Sequence, residues 1–178
     1  MIAVPDELET VDVGEWHARV ERAHSDGFAM FDWLTAVDRM DSGTPGFDVV
    51  VRLIALPEVN SATGLRGIRL TARVADGQSL ASITDLYAGA AWHERETFEM
   101  FGVFFDGFAD HTDLGLRPLL LPDGFEGTPL RKSFQLAARA SKTWPGGKEP
   151  GEGHDTAKSP SRRRVQAPGV PPPEWGPR

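Results

Sequence analysis

Two neighbouring segments constrain this chain more than any others. Phe47–Leu56 reads FDVVVRLIAL, a β-branched run, and Gly67–Val74 reads GIRLTARV. In the second, Ile68, Leu70, Ala72 and Val74 alternate with Arg69, Thr71 and Arg73. A period of two places the apolar set on one face of a sheet and leaves the arginines and threonine on the other. The intervening Asn60-Ser61-Ala62-Thr63-Gly64 is turn chemistry, so the two segments are predicted to pair as an antiparallel hairpin. A half-buried hairpin needs cover for one face only. That points to an α+β fold, a mixed or antiparallel sheet flanked by helices.

The cover comes from both sides in sequence. Asp12, with Glu15 three residues later, predicts a capping box. Val13, Trp16 and Val20 then make an apolar stripe that Gly27 stops. Phe28–Leu34 is short and aromatic and reads as a strand. A helix is predicted from about Ile83 to Phe101, ended by Gly102. Beyond it, 103–136 reads as an extended arm punctuated by Gly and Pro. From Pro145 to Arg178, 14 of 34 residues are Pro or Gly, so 137–178 is predicted to be a mostly disordered basic tail and 1–136 the folded body.

Charge divides the same way. Residues 1–130 hold 9 Lys+Arg against 22 Asp+Glu, net −13, while 131–178 hold 10 against 4, net +6. An acidic body argues against nucleic acid as a partner, because phosphate contacts need basic surface. Cysteine is absent, which excludes disulfides, thiol catalysis and an iron–sulfur cluster held by this chain's own thiolates. No apolar run is long enough to span a membrane. The acidic start, without a basic then apolar leader, predicts no signal peptide and a cytoplasmic protein.

The chemically suggestive stretch is Ala91–Gly102, AWHERETFEMFG. At 100° per residue, Tyr87, Ala91, Phe98 and Phe101 share a line that becomes the core face, and Glu94 lies on it. Glu96 points the opposite way. Arg95 and Glu99 fall to one side as an i,i+4 pair, and His93 reads as a surface residue. An inward carboxylate needs partners. The expected donors are Arg117, Arg131 or Lys132, or backbone N–H groups after Gly102. The start of an H-E-x-x-H zinc motif fails, because Thr97 stands where the second histidine belongs. A metal site from His93, Glu96, Asp110, His111 and Asp113 would need tertiary approach. Glu94 and Glu96 face apart, which makes a poor acid–base pair. No phosphate-binding or nucleophile-elbow motif occurs.

Taken in order, three stretches resemble a known family. They are Trp92–Gly102 (WHERETFEMFG), Leu116–Asp123 (LRPLLLPD) and Phe125–Phe134 (FEGTPLRKSF). Leu34–Asp38 (LTAVD) and Ser82–Asp85 (SITD) fit as well, so the resemblance covers roughly 28–134. The family is the 30-kDa, or C, subunit of the proton-pumping NADH:quinone oxidoreductase, respiratory complex I. One departure is the segment 107–115, which is longer than the family's Gly-His-Pro and lacks its proline.

The resemblance implies a cofactor-free, non-catalytic subunit of the peripheral arm. It would pack against the 49-kDa (D) subunit near the quinone site, with the B subunit close by, on the cytoplasmic side of the cell membrane. NADH, FMN, iron–sulfur clusters and quinone would sit on other subunits, and the membrane would be reached through the complex. The residues it assigns to docking are Trp92, Glu94, Arg95, Glu96, Phe101, Gly102, Arg117, Pro122, Gly127, Pro129, Arg131 and Lys132, with no catalytic, cofactor or metal residues. Two competing expectations are the homologous subunit of a membrane-bound hydrogenase or of a shortened complex lacking the NADH-oxidising module, and a free-standing enzyme with a carboxylate site on helix 83–101.

Overall fold

The computed structural model describes residues 6–57 and 64–135. Their order is β1 (Asp6–Val11), a single 3-10 turn (Val13–Glu15), α1 (Trp16–Ser25), β2 (Met30–Asp38), β3 (Phe47–Ala55), β4 (Arg66–Val74), β5 (Ser79–Ala81), α2 (Ala90–Phe101) and β6 (Phe104–Asp106). The fold is α+β, with a mixed sheet in the order β1-β4-β3-β2. The expected hairpin forms: β3 and β4 are antiparallel, with Phe47 opposite Val74 and Ala55 opposite Arg66. The turn residues between them, 58–63, lie outside the described residues, as does the tail 137–178.

Alternation decides the layering. Val49, Val51 and Leu53 of β3 and Ile68, Leu70, Ala72 and Val74 of β4 enter one buried cluster with Trp16, Val20 and Ala23 of α1 and Ala90 and Phe101 of α2. The opposite face carries charge. Asp6 joins Arg52 and Arg69 at 2.9 and 2.7 Å, and Asp48 is held by Arg39 and Arg73. Those guanidiniums hold the Asp6 and Asp48 carboxyls below their ordinary range.

Four sequence expectations change. β1 was not foreseen; it lies parallel to β4, and its sequence DELETV has one buried residue, Val11, so hydropathy gives little sign of a strand. Nor were β5 and β6, which pair parallel across three residues each; β6 therefore opens the segment read as arm. The capping box is not made. Asp12 precedes the 3-10 turn without a side-chain cap bond, and its carbonyl takes the Glu15 N–H. The aromatic strand runs further than expected, to Asp38, with a bulge between Phe31 and Trp33.

The described residues of Met1–Asp123 and Thr128–Lys132 form one compact unit, and those of Gly124–Gly127 and Ser133–Arg178 another. In the second, the Phe125 and Phe134 rings lie 6.1 Å apart.

Candidate functional site

Helix α2 begins at Ala90, seven residues later than its apolar spacing suggests. The missing turns have a cause. Ile83–Tyr87 is a tight turn closed by Tyr87 N–H to the Ile83 carbonyl at 2.9 Å. Glu94 pins its entrance: Ile83 N–H and the Ser82 hydroxyl donate to the two Glu94 oxygens at 2.8 and 2.7 Å. Ser82, Thr84 and Gly89 are poor helix formers.

Glu94 is fully buried, as the helical wheel requires. Its partners correct the expectation. They lie upstream, at Ser82 and Ile83, and neither Arg117, Arg131 nor Lys132 reaches it. Two neutral donors compensate a buried carboxylate only in part, and burial pushes its pKa up to about 7. The network continues outward. Ser82 and Thr84 hydroxyls are 2.8 Å apart, and Ala109 N–H donates to Thr84 Oγ1 at 3.1 Å.

Arg95 and Glu99 do not bond each other. Arg95 Nε and a terminal nitrogen donate to the carbonyls of Arg117 and Pro118, at 3.2 and 2.6 Å. Glu99 accepts the N–H groups of Leu120 and Leu121, at 2.7 and 2.8 Å. The reason is the backbone of 117–121, which is neither helix nor strand. Its polar groups need partners, and one helical turn of α2 supplies donors for two carbonyls and an acceptor for two amides.

A second hold sits where α2 ends. Gly102 adopts φ 74° and closes the helix with its N–H on the Phe98 carbonyl, as its sequence position predicts. The carbonyls left over at Met100 and Phe101 take the Leu130 N–H at 3.1 Å and Arg131 Nε at 2.6 Å. Arg131 also pairs with Asp76 at 3.0 Å and lies 4.8 Å over the Phe47 ring. The Lys132 N–H donates to buried Asp38 at 2.8 Å, and its ammonium meets Asp41 at 2.9 Å. Arg117 is paired with Asp110, 2.8 Å away. The Thr112 hydroxyl, and then Arg117, hold that carboxyl well below the carboxylate range.

Of the residues singled out from sequence, Arg95, Phe101, Gly102 and Arg131 therefore belong to the clasp between α2 and the segments after it, and Arg117 to the strip it holds; Lys132 ties the same following segment to Asp38 and Asp41, and Glu94 joins α2 to the turn before it. Trp92 and Glu96 are exposed, as is Pro122. Pro129 is half-buried beside Leu130, and Gly127, at φ 112°, belongs to the second unit. Phe98, assigned to the core face, is half-buried against Phe104 at 5.1 Å, while Thr97 and Glu99 are buried. His93 is not a free surface residue: its Nδ1 lies 3.0 Å from the Leu34 carbonyl and its ring is edge-on to Phe31. Among the described residues no three His, Asp or Glu side chains gather as a metal site. Sequence reasoning missed Asp41 and Asp76 and the bonding roles of Ser82, Asp38 and Glu99. Lys132 and Asp38 are 94 positions apart, and no local pattern reports such a pairing.

The family model described as "Respiratory-chain NADH dehydrogenase, 30 Kd subunit" matches residues 9–140. The chain belongs to this family. The 30 Kd-subunit match spans all of the sheet but the first three residues of β1, both helices and the whole clasp. The NADH-quinone oxidoreductase C subunit of Salinispora tropica is 39% identical over 137 residues, covering 73% of this chain and 54% of that protein. The mitochondrial NADH dehydrogenase [ubiquinone] iron-sulfur protein 3 of Candida albicans is 44% identical over 101 residues, 57% of this chain and 32% of that protein. The chain thus spans about half the length, or less, of these curated 30 Kd-subunit relatives. The fold is similar to that of the trypsin-resistant fragment (1–134) of Nqo5, with a TM-score of 0.52 at 23% identity over 59% of this chain and 82% of that one.

Proposed function

We propose that this chain is a non-catalytic structural subunit of the peripheral arm of a proton-translocating NADH:quinone oxidoreductase. In this reading it docks against the 49-kDa subunit near the quinone site, with the B subunit its further neighbour, and supports electron transfer from NADH to quinone without holding a cofactor. NADH, FMN, iron–sulfur clusters and quinone belong to other subunits. The chain sits peripherally on the cytoplasmic side of the cell membrane through the complex; among its described residues no helix is long and apolar enough to cross a membrane.

The observation that carries this reading is the clasp. Irregular backbone at 117–121 and 128–132 is fixed to α2 by charged side chains, while Leu114, Leu120 and Leu130 stay exposed. Fixing these segments while leaving Leu120 and Leu130 in water suits a surface that another protein covers. Glu94, the most deeply buried carboxylate among the described residues, is engaged by Ser82 and Ile83, which fits a structural role better than catalysis. The test is purification from native membranes under mild detergent. The 49-kDa and B subunits are expected to accompany the chain; a chain recovered free of both would contradict the proposal.

A further inference from the structure

Beside the clasp, α2 and the 107–111 loop enclose a cleft of about 320 Å³, lined by Ala88, Ala91, Trp92, Arg95, Ala109 and His111 among others. Three alanines leave space where larger side chains would fill it. Trp92 is 59% exposed, and the Arg95 guanidinium stands 5.8 Å from the centre of its ring. Exposed tryptophan and arginine, side by side at a depression, are the residue types that carry most binding energy at protein interfaces.

The charges at the cleft are uneven. Arg95 uses Nε and one terminal nitrogen on the carbonyls of 117 and 118. Its other terminal nitrogen has no hydrogen bond among the described residues, and Arg95 makes no ion pair there, whereas Arg117 and Arg131 each do. The carboxylate that also lines the cleft, Asp110, is occupied by Thr112 and Arg117. Among the described residues, a cation without a counter-ion thus faces a small apolar hollow on a body whose first 130 residues carry net −13. The cleft is also continuous with the held strip, since Arg95 belongs to both, and exposed Leu120 is bonded to Glu99 one turn further along α2. An extended surface of this kind fits a polypeptide better than a small anion.

We infer that this cleft receives an acidic segment of a partner protein, which places an apolar side chain against Trp92 and the alanines and a carboxylate on Arg95. The inference rests on the docking reading above and names the chemistry of the segment docked. It is tested by putting a benzophenone amino acid at position 92 of the full chain, irradiating native membranes, and sequencing the cross-linked peptide by mass spectrometry. The expected product joins position 92 to one peptide of another protein that carries Asp or Glu within a few residues of a large apolar side chain. His111→Glu, which adds negative charge to the cleft without touching the clasp, is expected to lower its yield about tenfold. Cross-links only to this chain itself, to lipid or to a peptide without carboxylates, or none from a chain that still co-purifies with the 49-kDa and B subunits, would overturn the inference and leave the docking reading standing. Loss of co-purification by the wild-type chain would sink both.

Discussion

Glu94 is the residue whose energetics are most open to measurement. It titrates near 4.5 in an unfolded chain and about 7 in the fold, because burial outweighs the Ser82 and Ile83 bonds. Between those values the folded protein keeps a proton that the unfolded chain has released. Stability therefore falls as pH rises from 4.5 through 7, by roughly 3 kcal/mol if the whole shift is expressed. Asp6, Glu9, Asp48 and Asp110, with lowered pKa values, act in the opposite sense. Their contribution is lost only as pH drops below the ordinary carboxylate range. Glu94→Gln keeps the shape and removes the titration. Chemical denaturation at pH 5 and pH 8 should show the wild type losing stability between the two relative to the variant; parallel behaviour would mean that Ser82 and Ile83 hold the carboxylate ionised throughout. Gly102 is a second sharp position. At φ 74° an added Cβ would stand 2.8 Å from the Arg131 guanidinium. Gly102→Ala should cost about 1–2 kcal/mol from the left-handed backbone alone, read as a lowered Tm, and should also loosen Arg131.

Helix α2 works as a clamp because its charged residues face different tasks at successive angles. The wheel separates Glu94 from Glu96 correctly, since burial follows geometry that the sequence period contains. It fails for Arg95 and Glu99 for a physical reason: a helical i,i+4 pair is worth only about 0.2–0.5 kcal/mol. Four backbone groups of an irregular strip offer those side chains stronger partners, and the strip's path is a tertiary fact. The same limit hides the Ser82 partner of Glu94 and the Asp38 partner of Lys132. The β3–β4 hairpin was legible because alternation and turn chemistry agree, while β1 was not, because five of its six side chains face outward or only part-way in. Glu99→Ala should leave the Leu120 and Leu121 amides without an acceptor, costing about 1–3 kcal/mol. Hydrogen exchange should then quicken at 120 and 121 while Leu53 and Leu70 in the sheet stay protected. Unchanged exchange at 120 and 121 would show that Glu99 does not hold the strip.

For the molecule as a whole, the sheet, the two helices and the clasp form one line of cause. A hairpin buries one face under α1 and α2. Burial of Glu94 sets where α2 begins, and Gly102 sets where it ends. The surfaces so fixed give Arg95, Glu99, Phe101 and Asp38 their hold on the segments that follow. Exposed Leu120 and Leu130 are then the consequence of holding those segments by their backbone and by Arg131 and Lys132. The most direct test of the account is the amount of the 49-kDa and B subunits that co-purify with a Leu120→Asp chain from native membranes. That change leaves the Leu120 N–H free to bond Glu99 and puts a charge where the partner is proposed to sit. The account predicts an unchanged Tm for the isolated chain with recovery of the two subunits reduced at least about tenfold; full recovery of both with the variant would contradict it.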